Sequence, residues 1–305
     1  MPSSWTTSKM TNGKTLFVAI VGRPNVGKST LLNKLVNTKV SITSSKPQTT
    51  RNRITGILTE DGKQYVFVDT PGMHKGKDLL NKRIDKTAVG ALADVDAVLF
   101  VTDRPLGLAE KHVIRHFQQI ECPVILVINK IDLLETKADI DRVILSYMGS
   151  YPFEAVIPVS ATDGTHLVRI KDALDPFMTE GPLFFPEEMK SDQSKTQMMS
   201  ELIREKILFH TEQEVPHAVA VTIESLEENE EDGTLDVSAL ILVERPTQKQ
   251  ILIGKGGEKM KRIGTEARKD INKTLDLKVH LTLWVKVKKD WRNRPSDLNA
   301  LGYGE

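Results

Sequence analysis

The stretch Gly22 to Ser29, GRPNVGKS, decides the fold. It fits the spacing G-x-x-x-x-G-K-[ST] and lies between a β-branched run, LFVAIV (16–21), and a segment with helical periodicity, TLLNKLVN (30–37). A strand that turns through glycines into a helix gathers backbone N–H groups and the positive helix end around one anion, and phosphate suits that cradle. Gly22 and Gly27 let the backbone approach it closely, and the chain from Asn25 and Val26 to Thr30 wraps it. Lys28 reaches the β and γ oxygens of a nucleoside triphosphate, and Ser29 offers a hydroxyl to Mg2+. A structural glycine turn satisfies the bare pattern equally well, but not the strand before it and the helix after it.

Downstream, the same alternation continues. QYVFVDT, AVLFVTD, VILVINK and AVIPVSA are strand-length apolar runs separated by helical segments, which predicts a mostly parallel sheet covered on both faces. ITGILTEDGKQYVFVDT reads instead as a hairpin turning at Glu60 to Lys63, placing one antiparallel strand at the sheet edge. Residues 1–13 are Ser/Thr-rich without an apolar core and read as a disordered tail; 14–178 form the first domain. The prolines and mixed charge of 179–195 predict a linker, and 196–305 a smaller α+β domain. No apolar run is long enough to span a bilayer. The single cysteine, Cys122, excludes an internal disulfide framework, fits a reducing cytosol and is expected to be a buried thiol.

Two further strand ends carry chemistry. DTPG (69–72) brings Asp69 to a position where it can hold a Mg2+-bound water, and the Gly72 amide to where it can meet a γ-phosphate. NKID (129–132) ends the strand VILVI: Asn129 and Lys130 precede Asp132, whose carboxylate accepts from guanine N1–H and the exocyclic amine, groups that adenine does not match. The backbone at Ser160 and Ala161, in VSAT, is expected to donate to guanine O6. Each motif alone has a bland reading as a turn or helix cap, but their order at successive strand ends does not. Together they resemble the TRAFAC class of P-loop GTPases. The resemblance implies that SSKPQTTRNR (44–53) is a switch loop, with Thr50 as a Mg2+ ligand, that orders with γ-phosphate and releases after hydrolysis.

That class often carries a glutamine after Asp-x-x-Gly, and this chain has Met73, so hydrolysis is expected to be slow or to need another source of charge. Asn25 resembles the residue that coordinates K+ beside the phosphates in some relatives; Arg51 and Arg53 are alternative sources in the switch. His74 and Lys75 read as surface residues of a second switch rather than a general base.

Overall charge is nearly balanced, yet Glu187 to Asp232 holds 4 basic and 13 acidic residues, whereas Glu244 to Pro295 holds 15 basic and 6 acidic. A cationic surface of this kind suits a polyanion. Inside it, ILIGKGGEKMKRIGTEARKDI resembles the GXXG loop and following helix of a KH domain, which clamps single-stranded nucleic acid. Gly254, Lys255, Gly256, Gly257, Lys259, Lys261, Arg262 and Arg268 are the candidate RNA contacts, with Ile251 and Ile253 as an apolar groove wall. Trp284 and Trp291 read as core or edge packing.

A P-loop GTPase domain followed by one KH domain resembles the Era family, on KPQTTRNRITGI, DTPGMHK, VERPTQKQILIGKGGEKMKRIGTEARKDI and VHLTLWVKVKKDWR. The resemblance implies GTP/GDP and Mg2+ as ligands, binding to the 3′ end of 16S ribosomal RNA, and assistance to maturation of the 30S subunit, by a cytoplasmic protein that is expected to be monomeric. Peripheral attachment to the inner face of the cell membrane, as a signalling GTPase, is the alternative reading, with the same lysines meeting anionic lipid. Gly76 stands where the family commonly has proline and Asn81 where glycine is usual, and 196–198 lack the expected Arg-Phe.

Overall fold

In the computed structural model, which describes residues 12–73 and 78–303, the first half runs β1 (Asn12–Gly22), α1 (Lys28–Leu35), β2 (Ile54–Glu60), β3 (Lys63–Asp69), α2 (Leu79–Gly90), β4 (Ala97–Thr102), α3 (Leu108–His116), β5 (Val124–Ile128), α4 (Lys137–Tyr147), β6 (Ala155–Pro158), α5 (Leu167–Leu174) and β7 (Thr179–Pro182). The sheet order is β2-β3-β1-β4-β5-β6, parallel throughout except β2, which pairs antiparallel with β3 at the edge as the hairpin predicted. Every residue of β4 and β5 is buried, because helices cover both faces and water reaches neither. The carboxyl ends of β1, β3, β5 and β6 therefore open on one rim, where ligands bind in sheets of this kind.

Two boundaries differ from expectation. Asn12 and Gly13, assigned to the tail, begin β1, and Thr179 to Pro182, assigned to the linker, form β7 antiparallel to it. Backbone pairing holds this ribbon, so apolar periodicity does not reveal it. Gly13 is the local clue: a Cβ there would lie 2.4 Å from the Gly62 carbonyl oxygen. Beyond β7 the chain stays strapped down. The Gln64 side chain binds the backbone of Phe184 and Phe185, Phe184 packs edge-on against Phe17, and Ile57 N–H donates to Lys190 O at 2.8 Å. Cys122 is half-buried at the margin of the core rather than within it.

The second half runs α6 (Lys195–His210), α7 (Val215–Ala218), β8 (Ala220–Glu228), β9 (Leu235–Val243), α8 (Pro246–Ile253), α9 (Glu258–Leu275), β10 (Val279–Val287) and α10 (Pro295–Ala300). Its sheet has the order β10-β9-β8, with β10 parallel and β8 antiparallel to β9. α9 buries Ile263, Ala267 and Ile271, one turn apart on one stripe, against α6 and the sheet. Ile42, from the first half, sits fully buried in this second core. No helix among the described residues is long and apolar enough to cross a membrane.

Candidate functional site

The phosphate loop has the backbone that its glycines permit. Gly27, with φ of 96°, caps the start of α1, and a Cβ on it would lie 2.3 Å from the Asn129 amide nitrogen. A Cβ on Gly72 would strike Pro24 at 2.6 Å, so only glycine brings the DTPG backbone against the loop. Lys28 is buried, and its ammonium donates to the carbonyls of Gly22 (3.2 Å) and Arg23 (3.1 Å). Burial, helped by Arg23 and opposed by Asp69, pulls its pKa down to about 8. The cleft in front measures about 320 Å³ and is walled by the loop on one side and, on the other, by Thr43 and by Ser44, Ser45 and Gln48 to Thr50 of the switch.

Behind Lys28, three oxygen donors converge. Ser29 Oγ donates to Asp69 Oδ2 at 2.6 Å and lies 2.8 Å from Thr50 Oγ1, which is itself 3.3 Å from Asp69 Oδ2. Asp69 is fully buried, and its Oδ1 has no hydrogen-bond partner among the described residues. Burial raises the Asp69 pKa while Lys28 and the hydroxyls of Ser29, Ser41 and Thr50 oppose the rise. Two hydroxyls and a carboxylate with a free oxygen are the hard donors Mg2+ takes, so the residues fit that ion.

The base-reading side is tied to the phosphate side. Asn129 donates to Val26 O (2.8 Å) and accepts from Ala161 N–H (2.9 Å). Ser160 N–H donates to Thr165 O at 3.3 Å. Both amides expected to face guanine O6 are thus taken by protein acceptors and serve to hold their loop. Lys130, at φ 63°, donates to Asn25 O (2.6 Å) and Asp103 Oδ2 (2.8 Å), and Asp132 stands exposed in the turn beyond. Asp103 Oδ1 accepts from Arg23, which also binds buried Glu110. Despite the cost of burial, the cations Lys130, Arg23 and Arg104 hold the Asp103 carboxyl below its ordinary pKa.

In the second half, GKGG forms a tight turn between α8 and α9, with Gly254, Gly256 and Gly257 all at positive φ. Among the described residues nothing lies within 4 Å of a Cβ built on Gly256 or Gly257, which leaves the turn open to a sugar-phosphate backbone. Alongside runs a groove of about 400 Å³ between α9 and β10, lined by Met260, Lys261, Gly264, Thr265, Arg268 and His280 to Leu283.

Known proteins match both halves. A family described as 50S ribosome-binding GTPase covers residues 17–130 and a KH domain family covers 214–292. GTPase Era of Alkaliphilus oremlandii (strain OhILAs) is 45% identical over 292 residues, 95% of this chain and 99% of that protein. GTPase Era of Clostridioides difficile (strain 630) is 43% identical over 294 residues, 96% and 99% of the two chains. The chain belongs to the Era family. A crystal structure of Era in complex with MgGDPNP and nucleotides 1506–1542 of 16S ribosomal RNA matches at a TM-score of 0.93 with 36% identity, over 96% of this chain and 100% of that one. A tyrosine-to-alanine variant of Aquifex aeolicus Era bound to GDP.AlF4- matches at 0.92, again with 36% identity over 96% and 100%.

Against the Era fold, several expected residues land elsewhere. Arg51 is no candidate for the phosphates: its guanidinium is 2% exposed and donates to the carbonyls of Val219 (2.7 Å), Pro216 (3.1 Å) and His217 (3.3 Å). Arg53 lines a different cleft, with Asp192 and Glu201. Met73 is buried in the core, so its side chain orients no water. Asn25 Nδ2 donates to Ser45 O at 2.8 Å, which leaves its Oδ1 for a cation. His74 and Lys75 lie outside the described residues. The switch, expected to be a loose loop, is clamped by the second half at its start and within it: Glu205 accepts from Thr43 N–H (2.9 Å) and Lys39 (2.6 Å) just before it, and Arg204 donates to Thr49 O inside it.

In the KH half, Lys261 and Arg268 line the groove, but Arg262 pairs with Glu266 at 3.1 Å. The apolar wall comes from Met260, Leu281 and Leu283 instead of Ile251, which is 44% exposed, and Ile253. Trp291 is fully buried, whereas Trp284 is 59% exposed. Sequence reasoning missed Arg23, Asp103 and Glu110; the signals for the first two are an arginine inside the phosphate loop and an aspartate just after β4, and Glu110 has none. It also missed Gly264, where a Cβ would press to 3.3 Å from Leu283, and the groove residues His280 and Thr282.

Proposed function

We propose that the chain is a GTP-hydrolysing switch that binds the 3′ end of small-subunit ribosomal RNA through its KH domain and assists maturation of the 30S subunit in the cytoplasm. One adjacency carries the reading: Thr50 Oγ1 belongs to the metal-donor cluster, while the next side chain, Arg51, is bonded into the KH half. A change at the γ-phosphate therefore acts on the neighbouring domain through one peptide bond. Lys28 neutralises the β and γ oxygens, the loop amides fix their positions, and Asp132 selects guanine. Ser29, Thr50 and Asp69 hold Mg2+, which when bound supplies positive charge to those oxygens. With Met73 in the core, turnover depends on charge from elsewhere, and Asn25 supports K+ as its source. Replacing K+ by Na+ is expected to slow hydrolysis; equal rates would remove that part.

The test is binding to an RNA matching the 3′ end of 16S ribosomal RNA, with a GTP analogue, with GDP and without nucleotide, beside Gly256→Asp. Tighter binding with the analogue, lost in the variant, supports the switch. Equal weak binding in all arms refutes it.

A further inference from the structure

Beyond the groove, β10 carries a feature that the nucleotide and GXXG sites leave unused. Alternate residues of this edge strand face opposite ways. Leu281, Leu283, Val285 and Val287 pack against the helix-side core, and His280, Thr282, Trp284 and Lys286 share the other face. Across the sheet, register sets Trp284 beside Leu240 and Thr222, and Thr282 beside Ser238 and Ser225. Thr222 is short and half-buried and Leu240 packs into the cluster of Leu80, Ile84, Trp291 and Leu298, so the indole stands at the margin of that cluster with 59% of its surface in water. Among the described residues it makes no ring contact, whereas the chain's other described tryptophan, Trp291, is fully buried with its N–H on Ala218 O.

Continuity and charge say what covers it. His280 to Leu283 line the groove, and Trp284 is the next residue along the same strand. The strand's two ends differ in charge on this face. At the His280 end, Asp236 binds the imidazole at 3.0 Å, Glu227 stands opposite Asp236, and Lys278 offsets only part of that acidity. At the Trp284 end, Lys286 and Lys289 are exposed and engaged in no ion pair among the described residues. A polyanion that leaves the groove is drawn past Trp284 toward those lysines. An uncharged peptide would gain nothing from that polarity.

We propose that Trp284 is a stacking platform for a base of single-stranded RNA lying just outside the KH groove, with Lys286 on the adjacent phosphate. The inference rests on the RNA-binding reading above. A GXXG loop clamps about four nucleotides, so the platform serves the nucleotides beyond them. Stacking tolerates any base, and this contact therefore lengthens the RNA footprint without adding sequence preference.

The experiment uses the full chain with a GTP analogue and RNAs from the 3′ end of 16S ribosomal RNA: a tetranucleotide, the same four extended by four nucleotides at the 5′ or at the 3′ side, and extended versions with abasic sugars. One extended RNA is expected to bind the natural protein roughly tenfold more tightly than its abasic counterpart, the size of one stacked base. Trp284→Ala abolishes that difference and leaves the tetranucleotide unchanged; Trp284→Phe retains most of it. The base-containing RNA also quenches tryptophan fluorescence in the natural protein and not in Trp284→Phe. If Trp284→Ala binds both extended forms as the natural protein does, or weakens the tetranucleotide equally, the platform is wrong while RNA binding stands. If the natural protein binds none of the RNAs but its Trp284 fluorescence responds to anionic vesicles, both readings fail together.

Discussion

Replacing Arg51 by alanine separates the switch from the KH half without touching the nucleotide. The guanidinium is 2% exposed and makes its two best hydrogen bonds to Val219 O at 2.7 Å and Pro216 O at 3.1 Å, with a longer one to His217 O. Burial lowers its pKa, Tyr303 and more weakly Glu201 counter this, and its direct hydrogen bonds go to carbonyls and the tyrosine. A hydrogen bond from a charged donor contributes about 1.5–3 kcal/mol. Two of them, less the relief of returning the site to water, give about 3 kcal/mol of docking energy lost. At about 1.4 kcal/mol per factor of ten, the docked population should fall by roughly two orders of magnitude relative to the undocked one. The assay is distance measurement between a dye on α4 and one on α9, in the GTP-analogue state, beside nucleotide affinity. Arg51→Ala should broaden and lengthen the distance while nucleotide affinity changes less than about threefold, since the guanidinium faces away from the phosphates; an unchanged distance distribution would refute the reasoning.

Lys28 makes nucleotide affinity pH-dependent. Its pKa lies near 8 in the nucleotide-free protein, below the ordinary 10.5, and the negative charge of bound phosphates is expected to raise it again. Binding therefore takes up a proton above pH 8, and affinity should fall with rising pH by up to about tenfold per unit, measured from pH 7.5 to 9.5. The same depression costs stability below pH 8 and relieves it as pH rises toward 10.5, so the nucleotide-free chain should unfold less easily over that window. Asp103→Asn removes the charge that joins Arg23 to Lys130 and should speed GDP release roughly tenfold, for a loss of about 1–2 kcal/mol, read by stopped-flow fluorescence. Ile42→Ala opens a cavity in the second core from a residue of the first domain and should cost about 2–4 kcal/mol in denaturant unfolding monitored in the KH half.

The nucleotide site was legible because its motifs are local: each is a strand end and its next few residues, and backbone geometry does the rest. GXXG was legible for the same reason. What sequence withheld depends on pairs far apart in the chain. Arg23 meets Asp103 only after β1 and β4 pair, and Arg51 meets Val219 only after two domains dock. Ala161 was assigned to the base from its motif, but Asn129 claims that amide through a contact with no sequence signature. Trp284 was misread because a strand's period shows that two faces exist, not which face the helices take.

The strap formed by β7 and the residues after it sets the mechanical character of the whole chain. With Lys190 O bonded to β2 and α6 starting at Lys195, the free tether is Ser191 to Ser194. Four residues reach at most about 14 Å, whereas the full span first read as linker would reach about 60 Å. The KH half is therefore a short crank on a fixed pin rather than a weight on a string. Should the contacts to the switch release, a tether this short keeps the half within reach and holds it at a high effective concentration for re-engagement.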